Sequence, residues 1–282
     1  MLDSPEWFMA EFDSWRDYWN FAQSVKHNAR YVFEDRVDKF LRTVIATSEA
    51  RKRVLPSGRH LWRAQQGHDW ETFSYEGSID LAPLPPGRMK PLLHSAREGR
   101  VNPKGIACLY LATDKDTAMA EVRPWIGSYL SVGQFKTIKD LAFVDCSVEH
   151  ANIVSHVYSK EPGPVEREKA VWAYIDHAFS EPLSMDESSA NYAPTQILAE
   201  AFRSHGFDGI VYKSLLGEGF NVALFDINAA DLVNCFLYKA KSVTFGFDEA
   251  ANPYFVSKHP EGKEKDDAEP GAPGGTPEAM RP

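Results

Sequence analysis

The stretch Gly99–Arg123, GRVNPKGIACLYLATDKDTAMAEVR, sets the frame for the rest of the chain. Its first seven residues, Gly99-Arg100-Val101-Asn102-Pro103-Lys104-Gly105, read as a turn-rich loop with two cations, because glycine and Asn-Pro disfavour helix. Ile106 to Ala112 is a short apolar run with a tyrosine and ends in small residues, as a buried strand does. Thr113, with Asp116 three residues on, has the pattern of a capping box and predicts a helix start, and Pro124 stops that helix. Loop, strand and helix in this order carry Arg100, Lys104, Tyr110 and Glu121. Glu121 shares a helix face with Thr117 and Ala118 and is either a solvent-side charge or a site residue.

Upstream, residues 1–55 read as a helical unit. Ser4-Pro5-Glu6 is a start signal. Trp7, Phe8, Phe12, Trp15 and Trp19 recur at helical spacing, and Phe33, Val37, Phe40, Leu41, Val44 and Ile45 mark a second helix closed by Arg51-Lys52-Arg53. Such aromatic stripes either dock on the main domain or offer a partner surface. His60-Leu61-Trp62-Arg63-Ala64 then reads as a strand. An arginine in a half-buried strand needs an anionic partner, either a carboxylate of the protein or a ligand phosphate. Residues 65–98, with the run PLPPGRMKPLL, read as a long loop of the kind that covers a site.

Downstream, Tyr129–Phe135 and Leu141–Asp145 read as strands paired through a short turn. Val165–Phe179 and Pro194–His205 read as amphipathic helices around the polar loop 186–191. Phe207–Lys213, Asn221–Phe225, Leu232–Tyr238 and Ser242–Phe247 read as the closing strands. Ser214 stands where a strand gives way to the glycine-bearing loop 214–219, so it either caps a turn or faces a ligand. Asn221 either ends that loop or binds weakly at the site. Residues 257–282, charged and rich in proline and glycine, read as a disordered tail.

Composition narrows the function classes. With 282 residues, 25% charged and 43% hydrophobic, the chain has the make-up of a globular protein with a sizeable core. A net charge of −9 argues against a broad basic face for nucleic acid, so an anionic ligand would need local cations such as Arg100 and Lys104. Cys108, Cys146 and Cys235 lack metal spacing and read as buried free thiols of a reducing compartment. The nine histidines form no paired ligand motif, so no metal is expected. Gly217-Glu218-Gly219 lacks the third glycine of a dinucleotide loop, and no acyl-transfer motif occurs. No run reaches membrane-spanning length and no signal sequence is evident, which points to the cytoplasm.

Three segments together resemble the RES family, toxin domains named for an arginine, a glutamate and a serine. They are Leu61-Trp62-Arg63-Ala64; Gly99–Gly105 with Leu109-Tyr110-Leu111-Ala112 and Ala118-Met119-Ala120-Glu121-Val122; and Gly206–Ser214 followed by Asn221–Phe225. The resemblance spans roughly residues 56 to 245 in the right order. It implies an α+β domain over 56–256 with an ADP-ribosyltransferase-like mixed sheet and flanking helices. It also implies an enzyme that consumes NAD as substrate, without a further cofactor. Phosphate or water would be the acceptor, or a protein side chain in an ADP-ribosyltransferase. A non-catalytic module binding a nucleotide or a partner is the alternative from another class. Carried onto this chain, the resemblance gives Glu121 and Arg63 catalytic roles and puts Arg100, Tyr110, Ser214, Lys104 and Asn221 at the substrate. It further implies silencing by an antitoxin of helix-turn-helix type. The chain departs from the pattern at Ala64 and Val101, where family members carry aromatics.

Overall fold

In the computed structural model the described residues are 10–73, 78–93, 95–148, 150, 158–182, 189–244 and 246. Two helices lead, α1 (Asp17–His27) and α2 (Asp35–Ser48). The α2 stripe Val37, Phe40, Val44 and Ile45 is buried, as its spacing predicts, and the rings of Phe21 and Phe40 stack 4.7 Å apart. Phe12 and Trp15 are also buried, but Trp19 is 57% exposed. The start signal at Ser4 lies outside the described residues.

The second helix stops five residues before Arg53. It ends at Ser48, a single 3-10 turn covers Glu49–Arg51, and Lys52–Leu55 is already a strand, β1. The basic triplet is therefore not a helix end. Arg51 is buried with its guanidinium 4.4 Å from the Trp172 ring centre, and the residues after it join the sheet. Cation–π contact and ladder hydrogen bonds replace the modest attraction of a helix C-terminus.

The remaining strands are β2 (His60–Gln66), β3 (Asp69–Phe73), β4 (Ser78–Ala82), β5 (Leu109–Ala112), β6 (Tyr129–Thr137), β7 (Leu141–Asp145), β8 (Gly209–Lys213), β9 (Phe220–Leu224) and β10 (Ala230–Lys239). The helices are α3 (Pro86–Met89), α4 (Lys115–Glu121), α5 (Pro164–Ser180) and α6 (Ala193–Ser204). Eight strands form one sheet in the order β1-β7-β8-β9-β5-β2-β6-β10. The β7–β8 pair is parallel and the others are antiparallel, so the sheet is mixed and the expected α+β class holds.

One expected pairing is absent. β6 and β7 are neighbours in sequence, yet β6 pairs with β2 and β10 while β7 pairs with β1 and β8. The four residue steps from Thr137 to Leu141 reach at most about 15 Å. Five strand spacings in a flat sheet would need about 24 Å. The sheet must therefore fold over, and it does so where β2 and β5 meet through a single residue pair, Trp62 and Ala112. Leu61 and Phe135 from one side of that corner share a core with Leu109, Phe143, Val222 and Leu224 from the other.

Helices α5 and α6 pack on the sheet at β8, α1 packs on both of them, and α2 packs on α6. Trp172 of α5 is fully buried, stacks on Phe202 of α6, and donates from Nε1 to Thr47 Oγ1 of α2 at 3.0 Å. The helical unit thus belongs to the same core as Ile210 and Ala223 of the sheet. The stretch 65–98, expected as loop, contains the β3–β4 hairpin and the short α3, whose Met89 is fully buried. Residues 242–244, where the last expected strand would begin, have no regular structure, and the tail lies outside the described residues. Among the described residues no helix is long and apolar enough to cross a membrane. Cys108 and Cys146 are buried free thiols, and Cys235 is half-buried.

Candidate active site

The corner of the sheet makes a cleft of about 280 Å³. Its floor follows from strand register. Tyr212 of β8 stands opposite Asn221 of β9, Asn221 opposite Ala112 of β5, and Ala112 opposite Trp62 of β2. Directly opposed residues share a sheet face, and all four line the cleft. Tyr110, two residues before Ala112, lines it too.

Helix α4 lies across this floor with Glu121 in its last turn. Its N-cap is Asp114, one residue later than expected, because the Asp114 carboxylate accepts from the Thr117 backbone N–H at 2.8 Å and from the Thr117 hydroxyl at 2.8 Å. Asp and Thr compete for the same cap, and the anion makes the stronger bond. The Thr117 hydroxyl accepts from the Gly219 N–H at 2.9 Å, and the Thr113 hydroxyl accepts from that of Phe220 at 2.9 Å. A methyl group on Gly219 would lie 1.8 Å from the Asp114 carboxylate, so only glycine allows the loop 214–219 to approach this closely. Lys213 closes the loop from inside by donating to the carbonyls of Gly217 and Gly219, both at 3.0 Å.

These contacts bring Ser214 and Asn221 onto one atom. Oε1 of Glu121 accepts from the Ser214 hydroxyl at 2.6 Å and from the Asn221 amide at 2.7 Å. Ser214 is 2% exposed and Asn221 7%. Oε2 makes no hydrogen bond among the described residues. The carboxylate is thus held from below by buried donors while its second oxygen stays uncommitted in the cleft. Ser214 also accepts from the Leu216 N–H at 3.1 Å. Its only proton goes to Glu121.

Arg63 bridges the gap where β2 and β5 part. Its Nη1 donates to the Tyr110 carbonyl at 2.9 Å, while Nε is sealed from solvent with no hydrogen-bond partner among the described residues. Of the two anionic partners the sequence leaves open, a carboxylate of the protein does not pair with Arg63 among the described residues. Burial lowers the pKa of this guanidinium from its ordinary value. Arg100 donates from Nη1 to the Phe179 carbonyl at 2.9 Å and the Ala178 carbonyl at 3.3 Å, capping the C-terminal turn of α5 while lining the cleft. Tyr110 presents its ring only. Its hydroxyl donates to Asn102 Oδ1 at 2.7 Å and accepts from the Val101 N–H at 2.9 Å, and burial raises its pKa well above the usual range. Lys104, on the same loop, is exposed and does not line the cleft.

The sequence had singled out neither Tyr192, Tyr212 and Trp62 as cleft residues nor Asn102 and Gln196 as loop pins. Gln196 of α6 donates to the carbonyls of Gly99 at 2.9 Å and Asn102 at 3.1 Å. Trp62, Asn102 and Tyr212 lie within the segments that carry the family resemblance, whereas Gln196 has no local signal and matters through contacts almost a hundred positions away. A separate cavity of about 300 Å³ lies between α1 and α2, and both cations that line it, Lys39 and Arg36, are paired within the protein, with Asp13 at 2.6 Å and Asp17 at 3.6 Å. Among the described residues no group of three or more His, Cys, Asp or Glu is placed to hold a metal ion.

The sequence model of the RES domain matches residues 60–248 of the chain. No curated protein matches it significantly. Among solved structures, it is similar to a chain of the M. tuberculosis MbcT-MbcA toxin-antitoxin complex. That match has 16% identity, 70% of this chain and 92% of the other covered, and a TM-score of 0.38.

Proposed function

The chain belongs to the RES domain family, and from that premise we propose that the cleft binds NAD and cleaves its nicotinamide–ribose bond, with phosphate or water as acceptor, and that the protein acts as a toxin. The observation that carries this reading is the Glu121 carboxylate, fixed at Oε1 by Ser214 and Asn221 and uncommitted at Oε2. Breaking that bond neutralises the pyridinium, so the leaving group needs no strong acid. The demand is for negative charge beside a ribose that becomes oxocarbenium-like, and a preorganised carboxylate meets it. Tyr110 could not act as an acid without giving up Asn102; it shapes the pocket with its ring.

The cations support the same reading. Arg63 keeps a buried, unpartnered Nε beside the cleft, the kind of donor that a phosphate oxygen satisfies. Among the described residues Arg100 has only Nη1 engaged, which leaves the rest of its fork for the pyrophosphate. NAD enters as substrate and no cofactor takes part in this scheme. An antitoxin of helix-turn-helix type and a cytoplasmic setting go with the family reading.

The test is release of nicotinamide from NAD by the purified chain, with and without phosphate. Glu121→Gln keeps an oxygen for Ser214 and Asn221 and turns an amide toward the cleft, so it removes charge without disturbing the floor. Turnover should fall about 100-fold or more with thermal stability unchanged. Equal turnover by the variant would refute the role of Glu121. Label retained on a protein rather than on a free product would redirect the reading to protein modification.

A further inference from the structure

We propose that the Tyr212 hydroxyl is a ligand contact that hydrogen-bonds an oxygen of the bound dinucleotide and helps decide which ligand fits; this rests on the NAD reading above. Three tyrosines line the cleft, and the hydroxyls of the two on its strand floor, Tyr110 and Tyr212, are in opposite states. That of Tyr110 is doubly engaged within the protein. Tyr212 is only 5% exposed, yet its hydroxyl neither donates nor accepts a hydrogen bond among the described residues, and it lines the cleft.

Packing explains the ring and not the oxygen. The ring rests against Phe179 with centres 5.9 Å apart, a contact that phenylalanine would make equally well. The oxygen adds nothing to that packing, and among the described residues it is not one of the sealed polar atoms that lack a partner, so it opens on the cleft, where a ligand can reach it. Tyr212 is the register partner of Asn221, whose amide holds Glu121, so the hydroxyl belongs to the same end of the cleft as the carboxylate. Glu121, Arg100 and Tyr192 line the same cleft. Burial keeps the phenol protonated far above neutral pH, which makes it a neutral donor beside a carboxylate. A ligand whose ribose sits against Glu121 brings its own oxygens to this side, and a donor buried in advance recognises one without reorganisation.

Tyr212→Phe tests the idea by deleting one oxygen. Without ligand, the variant should unfold at the same temperature as wild type or slightly higher, since no protein hydrogen bond is lost. With NAD, its stabilisation should shrink. In kinetics, KM for NAD should rise about 3- to 10-fold, the worth of one hydrogen bond, with kcat changed less than twofold. Tyr110→Phe is the contrast. It removes a hydroxyl bonded at both ends and should lower stability without ligand. Wild-type response to NAD with an unchanged Tyr212→Phe response would overturn this proposal alone. A wild type that neither binds nor cleaves NAD would overturn the reading on which it rests as well.

Discussion

The shared grip of Ser214 and Asn221 on one oxygen of Glu121 makes a quantitative prediction. Both bonds are short, 2.6 and 2.7 Å, and both donors are buried, so each is a hydrogen bond from a donor shielded from water to a charged group. Such bonds are worth about 1.5–3 kcal/mol, which is roughly 10- to 150-fold if the stabilisation is felt in the transition state. Ser214→Ala and Asn221→Ala should each lower kcat for nicotinamide release by that order, with KM for NAD little altered. The double variant should cost less than the product of the two. Once either donor is gone Glu121, which is exposed at the cleft, is freer to turn to solvent, and the second donor has less left to hold. The expected coupling is about 0.5–3 kcal/mol, the range for residues sharing a partner. Single-turnover assays at saturating NAD measure the chemistry, and thermal unfolding of each variant checks the fold. Ser214→Ala should also lose some stability, because the Leu216 N–H loses its acceptor. Single variants within twofold of wild type, or strictly multiplicative effects, would refute the shared-grip argument.

Further predictions follow from the packing and the cleft cations. Gly219→Ala should destabilise the protein by about 1–3 kcal/mol or more, because the added methyl group meets the Asp114 carboxylate at 1.8 Å. Gly87→Ala, with nothing within 4 Å of the new atom, should change stability by no more than about 0.5 kcal/mol; equal effects in denaturant titrations would count against the close-approach account. Phe40→Ala should cost about 3–5 kcal/mol and shift one cooperative transition, since α2 shares its core with Trp172 and Phe202. A biphasic curve would instead mark residues 1–55 as an independent unit. Arg63→Lys keeps the charge and loses the planar fork that reaches both the Tyr110 carbonyl and the cleft, and KM for NAD should rise about tenfold, the loss of one charge-assisted bond. An unchanged KM would place the arginine in a structural role only.

Legibility varied with how local each signal is. The spacing of Val37, Phe40, Val44 and Ile45 marked α2, and the apolar run before Ala112 marked β5. The end of α2 was misplaced at Arg51–Arg53 because the competing partners, Trp172 and strand β7, are far away in the sequence. The β3–β4 hairpin was missed because prolines and glycine dominate the run that follows it, and the β6–β7 pairing was wrong because sequence neighbours usually pair, whereas here a short corner turns the sheet over.

The sequence by itself determined which residue types were available: a glutamate in a short helix, an arginine in a strand, a serine before a glycine-bearing loop, and the apolar periodicities that bury the helices. Only the tertiary structure decided that Ser214 and Asn221 meet on one oxygen of Glu121, that Arg100 caps α5, and that one tyrosine hydroxyl is tied while the other is open. The physical reason is range. Periodicity and capping act within a few residues, whereas hydrogen bonds between positions about a hundred apart depend on how a sheet bends at one residue pair, and no local pattern encodes that bend.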